Sequence, residues 1–220
     1  MLVKTISFSG GMAAGKDTFG EAYKELCNKN GIGVEHLSFA KALKDEVDFV
    51  INGVRNQTSV AEIAHHLSVS CIDIAKMKDV ILEEDYIHPN FTARDRSPAT
   101  RHLLQFWGTE VRRKQKDSYW VDIVKAEIEE NIANGVATYI TDARFINELE
   151  MLQSIGATTV LLKAPLEVRL KRLYDRDKIT VSEEALNHPS ETQCLEYKNY
   201  SIEIDTTQHT ADELGEILGV

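Results

Sequence analysis

Ile6-Ser7-Phe8-Ser9-Gly10-Gly11-Met12-Ala13-Ala14-Gly15-Lys16-Asp17-Thr18 is a strand-length apolar run that passes into a glycine-rich loop ending in Gly-Lys, with a helical pattern following at once. Gly10 to Gly15-Lys16 fits the spacing G-x-x-x-x-G-K, and the strand before it and helix after it are the context that spacing requires. Such a loop turns successive backbone N–H groups inward, where they wrap the phosphates of a nucleoside triphosphate. Lys16 reaches the β/γ oxygens, and the helix opening at Asp17 aims the positive end of its dipole at the same anion. An ordinary strand–helix turn is the competing reading. Asp17 is the anomaly, because a serine or threonine normally stands there to offer its hydroxyl to Mg²⁺.

The 220 residues suffice for one domain with a substantial core. A formal net charge of −10 argues against a sequence-independent grip on a nucleic acid polymer, which needs a broad basic face. It does not exclude nucleotides, which need only a local basic pocket. Cys27, Cys71 and Cys194 are odd in number and widely spaced, so they suggest neither a disulfide framework nor a zinc site. No stretch approaches the roughly 18 apolar residues of a membrane span, and the first 15 residues lack the long apolar region of a signal peptide. A reduced, cytoplasmic setting with no membrane partner is the expectation.

Further strands are expected at Val34–Phe39, Ala137–Thr141, Thr158–Lys163 and Tyr200–Ile204. Helical patterns separate them at Asp17–Asn28, Ala40–Ile51, Ile146–Ile155, Leu166–Asp175 and Asp212–Leu218. Strands alternating with helices imply an α/β fold with a parallel sheet covered on both faces. Residues 52 to 136 hold no good strand. The stretches Val60–Leu67, Cys71–Leu82, Thr100–Lys114 and Tyr119–Asn134 read as a mostly helical insertion into a core of 1–51 and 137–220, with Glu83–Pro98 as a loop. We see no linker that would divide the chain into independent domains.

Three clusters carry the remaining chemical signal. Asp142 ends the third strand at the carboxyl edge of the sheet, where it either holds a Mg²⁺-bound water or caps the helix beginning near Phe145. Arg144, two residues on, suits bidentate pairing with phosphate. On an α-helix Arg101, Gln105, Gly108 and Arg112 fall on one stripe, suited to an anion that must come close or simply to solvent. Trp120 reads as core, with stacking on a nucleobase as the sharper alternative. Arg169, Arg172 and Arg176 make one edge of a helix cationic while Leu166, Leu170 and Leu173 face the sheet. That edge is either solvated or a lid over a transferring phosphoryl group.

Together, Gly15-Lys16-Asp17-Thr18, Ser38-Phe39-Ala40 with Leu43-Lys44, Leu104-Gln105 with Gly108-Thr109, Tyr119-Trp120, and Asp142-x-Arg144 with Asn147-Glu148 resemble bacteriophage-type deoxynucleoside monophosphate kinases. The resemblance runs from about residue 3 to residue 165, and Asp17 is at home in it. It implies a P-loop NTPase-type parallel five-stranded sheet and transfer of the γ-phosphoryl of ATP, with Mg²⁺, to a deoxynucleoside monophosphate. It assigns ATP to Gly10 through Thr18, that is Gly10, Gly11, Met12, Ala13, Ala14, Gly15, Lys16, Asp17 and Thr18. Monophosphate binding falls to Lys44, Arg101, Gln105, Arg112, Trp120, Asp142, Arg144 and Glu148, with the helical insertion as the substrate-binding part. Lys16, Asp142 and Arg144 would be catalytic. Mg²⁺ would be held through Asp17, Thr18 or Asp142. By analogy with the lids of nucleotide kinases, Arg169, Arg172, Arg176 and the stretch His188-Pro189-Ser190-Glu191 are assigned to a lid, with Arg172 joining the ATP site. The family allows a homodimer. A kinase of another phosphorylated metabolite, such as dephospho-CoA, and a non-catalytic nucleotide-binding module are the alternatives. A guanine reader of the Asn-Lys-x-Asp type is absent from the sequence.

Overall fold

Strand β1 (Thr5–Ser9) is buried along its whole length, because it lies at the centre of a five-stranded sheet. The computed structural model describes residues 5–83, 88–95, 98–178, 181 and 183–219. The other strands are β2 (Val34–Leu37), β3 (Ala137–Ile140), β4 (Thr158–Lys163) and β5 (Ile202–Asp205), in the order β2-β3-β1-β4-β5. Every pairing is parallel. This is the expected five-stranded parallel sheet of an α/β fold. The β4 boundaries match the sequence reading, and those of β2, β3 and β5 differ by one or two residues, most at β5, where Tyr200 and Ser201 precede the pairing.

Alternation along β1 explains the layering. Ile6 and Phe8 point to one face, where they pack with Phe19, Tyr23 and Cys27 of helix α1 (Lys16–Lys29) and with Val160 and Leu162 of β4. Each such side chain contributes about 1.5–3 kcal/mol on burial. Thr5, Ser7 and Ser9 alternate with them and are equally buried. Small hydroxylated residues recur in the neighbouring strands, where Thr138 Oγ1 accepts a 3.1 Å hydrogen bond from Asn131 Nδ2. Gly20 lets α1 lie close to the sheet: a Cβ there would stand 2.7 Å from Thr141 Cγ2 and 3.0 Å from the Tyr139 ring.

By its contacts the chain falls into two compact units, residues 1–38 with 123–220, and residues 39–122. The helical unit therefore begins before residue 52, because α2 (Phe39–Arg55) belongs to it, and it ends inside α6 (Tyr119–Ala133). It also contains α3 (Val60–Leu67), α4 (Cys71–Glu83) and α5 (Pro98–Gln105). Ser59 and Glu62 form a capping box that starts α3. The described part of the expected loop, residues 88–95, is irregular and latched to α2. Arg55 donates to the carbonyls of His88 and Phe91, and Arg94 pairs with Asp45 and Asp48. Glu84 to Ile87, Arg96 and Ser97 of that loop lie outside the described residues.

The helix expected over Thr100–Lys114 is two elements: α5 gives way at Phe106 to a π-helical segment, Phe106–Arg113. In the sheet-bearing unit, α7 (Ile146–Ser154) and α8 (Leu166–Asp177) match expectation closely. Leu166 is 44% exposed, however, so of the three leucines Leu173 is the one buried. Two short helices not anticipated in the sequence follow, α9 (Glu183–Leu186) and α10 (Pro189–Glu196). The C-terminal helix is a 3₁₀ turn, Ala211–Glu213, running into α11 (Leu214–Ile217). Among the described residues no helix is long and apolar enough to cross a membrane.

Gly20→Ala should destabilise the protein by about 1–3 kcal/mol through overpacking against Tyr139 and Thr141. Urea unfolding reads this directly. An unchanged midpoint would mean that α1 does not rest on β3 as closely as described.

Candidate phosphate-binding site

The site begins where β1 ends. Its neighbours β3 and β4 finish at the same edge: Ser7 stands opposite Ile140, and Ser9 opposite Leu161. The chain leaving β1 at Gly10 is thus flanked by Thr141-Asp142 on one side and Leu162 to Ala164 on the other. Gly10 has φ +144°, and a Cβ on it would stand 2.4 Å from the Leu162 carbonyl oxygen, so only glycine passes there. Ala13 (φ 57°) and Gly15 (φ 102°) also take left-handed conformations. Such alternation curls a backbone into an anion-binding concavity. Gly15 then starts α1 with no side-chain cap, leaving the first-turn N–H groups for an anion.

Basic side chains fasten this loop from two sides. Lys16 Nζ donates to the carbonyls of Gly10 (2.8 Å) and Gly11 (3.0 Å). Burial lowers its pKa from the ordinary lysine value, and the nearby Arg144 cation lowers it further, opposed by Glu191, Cys194 and Asp17. From α8, Arg169 Nη1 reaches the Met12 carbonyl at 3.4 Å and Arg172 Nη1 the Ala13 carbonyl at 3.4 Å. Arg172 is itself fixed by Thr206, through Oγ1 and the carbonyl oxygen, both at 2.9 Å. Arg169 and Arg172 therefore hold the back of the loop.

Asp142 follows β3 and accepts a 2.6 Å hydrogen bond from the Ser38 hydroxyl. Beside it, Thr141 Oγ1 meets His36 Nε2 at 3.2 Å, and the His36 ring stacks on Tyr139. Arg144 forms an ion pair with Glu191 of α10, and the second Glu191 oxygen accepts the Met12 N–H at 2.9 Å. Glu148 is buried and serves the backbone: Oε2 accepts the N–H groups of Arg144 (2.8 Å) and Phe145 (3.1 Å). Through that oxygen Glu148 holds the turn that presents Arg144. Asp17 and Thr18 are exposed at the head of α1.

A donor set of Asp142, the Ser38 hydroxyl and the Asp17-Thr18 pair fits Mg²⁺, which usually takes one or two carboxylates, keeps several waters and binds substrate phosphate. Among the described residues there is no group of three or more His, Cys, Asp or Glu side chains that could hold a metal ion.

The helical unit treats its candidates differently. The stripe of Arg101, Gln105, Gly108 and Arg112 presumes α-helical spacing, which the π-helical segment breaks. Its i→i+5 winding instead puts Trp107 and Arg112, five apart, on one face. Both converge on Glu46 of α2. Trp107 Nε1 (2.8 Å) and Arg112 Nε (2.7 Å) donate to Oε2; Arg112 Nη2 (2.9 Å) and the Tyr119 hydroxyl donate to Oε1. Arg112 is 2% exposed and lies over the Trp107 and Tyr119 rings, so its charge is already matched. Burial, then the Glu46 carboxylate, pushes the Tyr119 pKa up to about 12. Gly108 lets the segment approach α2, with a would-be Cβ 3.0 Å from Leu43. Trp120 is 3% exposed and its indole donates to the Gly108 carbonyl, which makes it a core residue. Gln105 is exposed and Lys44 half-buried, and the side chain of Arg101 lies outside the described residues.

Two residues that meet the loop could be read in the sequence only by analogy with the lids of nucleotide kinases. Glu191 sits in the quoted His188–Glu191 stretch, but nothing local shows that its carboxylate returns to a loop 179 positions earlier. Arg169 by its own pattern is only part of a basic edge.

No family model matches the chain, and no curated protein matches it. Among solved structures it is similar to the crystal structure of TT1252 from Thermus thermophilus. The identity is 17%, covering 100% of this chain and 98% of the other, with a TM-score of 0.52. At that identity the likeness is one of fold. Also similar are the Mycobacterium tuberculosis APS kinase CysC in complex with AMPPNP and APS (13% identity, 98% and 95% covered, TM-score 0.46) and the shikimate kinase from Acinetobacter baumannii in complex with shikimate (16%, 98% and 90%, 0.39).

Glu46→Gln should cost about 3–5 kcal/mol of stability, because it strands a buried guanidinium without its countercharge. A double variant, Glu46→Leu with Arg112→Met, should recover much of that loss in urea titrations. If the single variant costs under about 1 kcal/mol, the pair is not buried as described.

Proposed function

We propose that this protein is an ATP-dependent deoxynucleoside monophosphate kinase, moving the γ-phosphoryl of ATP to the 5′-phosphate of a deoxynucleotide. One observation carries the phosphotransferase part: a Gly-Lys loop bent as an anion cradle would be, with Lys16 folded onto it, the Arg144 cation near enough to act on Lys16, and Asp142 just past the end of the neighbouring strand β3. The deoxynucleotide acceptor rests on the sequence blocks Leu104-Gln105, Gly108-Thr109, Tyr119-Trp120 and Asp142-x-Arg144. Gln105, Lys44 and Arg101 remain its proposed contacts, whereas Arg112, Trp120 and Glu148 support structure.

The chemistry asks little beyond positioning and charge. An acceptor phosphate has its second pKa at roughly 6, so near neutrality it already carries a nucleophilic oxygen and needs no general base. The obstacle is bringing two polyanions into line. Lys16 gives positive charge at the β/γ oxygens, the loop amides and the head of α1 bind the phosphates, and Arg144 faces the transferring group. Arg169 and Arg172 keep the loop carbonyls turned away from that anion. Mg²⁺, held through Asp142 and the Asp17-Thr18 pair, would neutralise phosphate charge when bound.

An ADP-release assay with ATP and Mg²⁺ against dAMP, dGMP, dCMP, dTMP, their ribo counterparts and dephospho-CoA tests the reading. Turnover with one or more deoxynucleotides is expected, and turnover with dephospho-CoA alone would replace the acceptor. Lys16→Ala should lower the rate by about 10³-fold or more while the protein stays folded. Near wild-type turnover in that variant would sink the assignment. The depressed Lys16 pKa adds a signature of sign. Phosphate binding favours the charged amine and raises its pKa, so ATP binding should take up protons as the pH approaches the depressed value, and affinity should fall above it. Calorimetry in two buffers of different ionisation enthalpy measures the uptake, and Lys16→Arg should remove it.

A further inference from the structure

The Glu191 carboxylate sits where an anion belongs. It is 7% exposed, accepts the N–H of Met12 from inside the loop motif, and pairs with the Arg144 guanidinium. It also lies close enough to Lys16 to oppose the lowering of that amine's pKa. A loop amide and an arginine are the donors a phosphate takes at such a cradle. One carboxylate, with two oxygens each accepting from a different donor, meets the same requirement. The contact closes a long circuit, because Met12 and Glu191 are 179 residues apart.

Helix α10, which carries Glu191, is anchored behind it. The Tyr200 hydroxyl donates to the Cys194 carbonyl at 2.7 Å. Toward the loop, α10 is tied by the Glu191 side chain and by the Cys194 thiol, which takes a hydrogen bond from the Gly10 backbone N–H. Polyphosphate and this carboxylate cannot both accept from Met12 N–H and Arg144 without placing like charges in contact.

We propose that Glu191 is an internal stand-in for nucleotide phosphate, and that α10 is a gate which ATP must detach from the loop before Arg144 is free. This deepens, and rests on, the phosphotransferase reading. The protein with Glu191 docked is the ATP-incompetent member of a two-state equilibrium, so apparent ATP affinity is reduced by the fraction of molecules in it. Binding releases Arg144 from its internal partner toward the transferring phosphoryl group, which ties the appearance of that cation to the presence of nucleotide. The occupant that competes is a polyphosphate, whatever the acceptor is.

Calorimetric titration of ATP with Mg²⁺ into wild type, Glu191→Gln and Glu191→Ala tests the proposal. Both variants lose the charged competitor and should bind about tenfold more tightly, the scale of one charge-assisted hydrogen bond. Hydrogen exchange on the wild-type protein is the second measurement: saturating ATP should speed exchange in the amides of residues 192–196 as the tether opens. Equal or weaker ATP binding by folded variants overturns the proposal; weaker binding would make Glu191 a positioning group for Arg144. If the variants do not fold, unchanged or slowed exchange in α10 overturns it instead. Failure of folded wild type to bind ATP at all removes the phosphotransferase reading and this proposal together. Tight wild-type binding with no gain in the variants removes this proposal alone.

Discussion

Parallel pairing of β1 with β3 on one side and β4 on the other is the constraint from which the site follows. Parallel strands end at a common edge, so the chain leaving the central strand emerges between the ends of its two neighbours. The loop after β1 is therefore hemmed by the β4 backbone, which forces glycine at position 10. Asp142 and Arg144 arrive beside the loop from β3 although they lie more than a hundred positions away in sequence. The arginines of α8 reach the back of the loop because α8 starts directly after β4. A different strand order would leave every one of these residues in the sequence and none of them together.

Two carboxylates organise the charged interiors of the two units, to different ends. Glu46 is saturated by four donors, with a guanidinium stacked on aromatic rings beside it, and such closed networks specify one packing arrangement. Glu191 serves two donors that belong to a cradle for something else. The first is a fixed part of a core, whereas the second fills a position that substrate would contest. Glu148, which holds the Arg144 turn through two backbone N–H groups, belongs with the first kind.

Much of this was legible in the sequence where signals are local. The loop spacing, the five strands and the acid at the end of β3 could all be read, since strand period and turn chemistry act over a few residues. The helices at Glu183–Leu186 and Pro189–Glu196 could not, because each is too short to show an amphipathic period. The stripe drawn from Arg101 through Gln105 and Gly108 to Arg112 misled for a physical reason. A stripe drawn at α-helical spacing presumes α-helical winding, and the wider turns after Phe106 carry Arg112 into the interior. Trp120 resolved to core as soon as its indole found the Gly108 carbonyl. The reach of Glu191 to Met12 has no local signature at all.

The π-helical turn also bears on how this chain should be aligned with others. Trp107 and Arg112 share Glu46 only because they lie five positions apart on a helix wound for that interval. A homologue that kept the tryptophan and arginine on an ordinary α-helix, facing the same glutamate from α2, would need one residue fewer between them. An alignment that opens a single-residue gap there would be recording a change of helical pitch rather than a lost side chain. Placing the gap anywhere else would shift the register of one partner and conceal the shared triad.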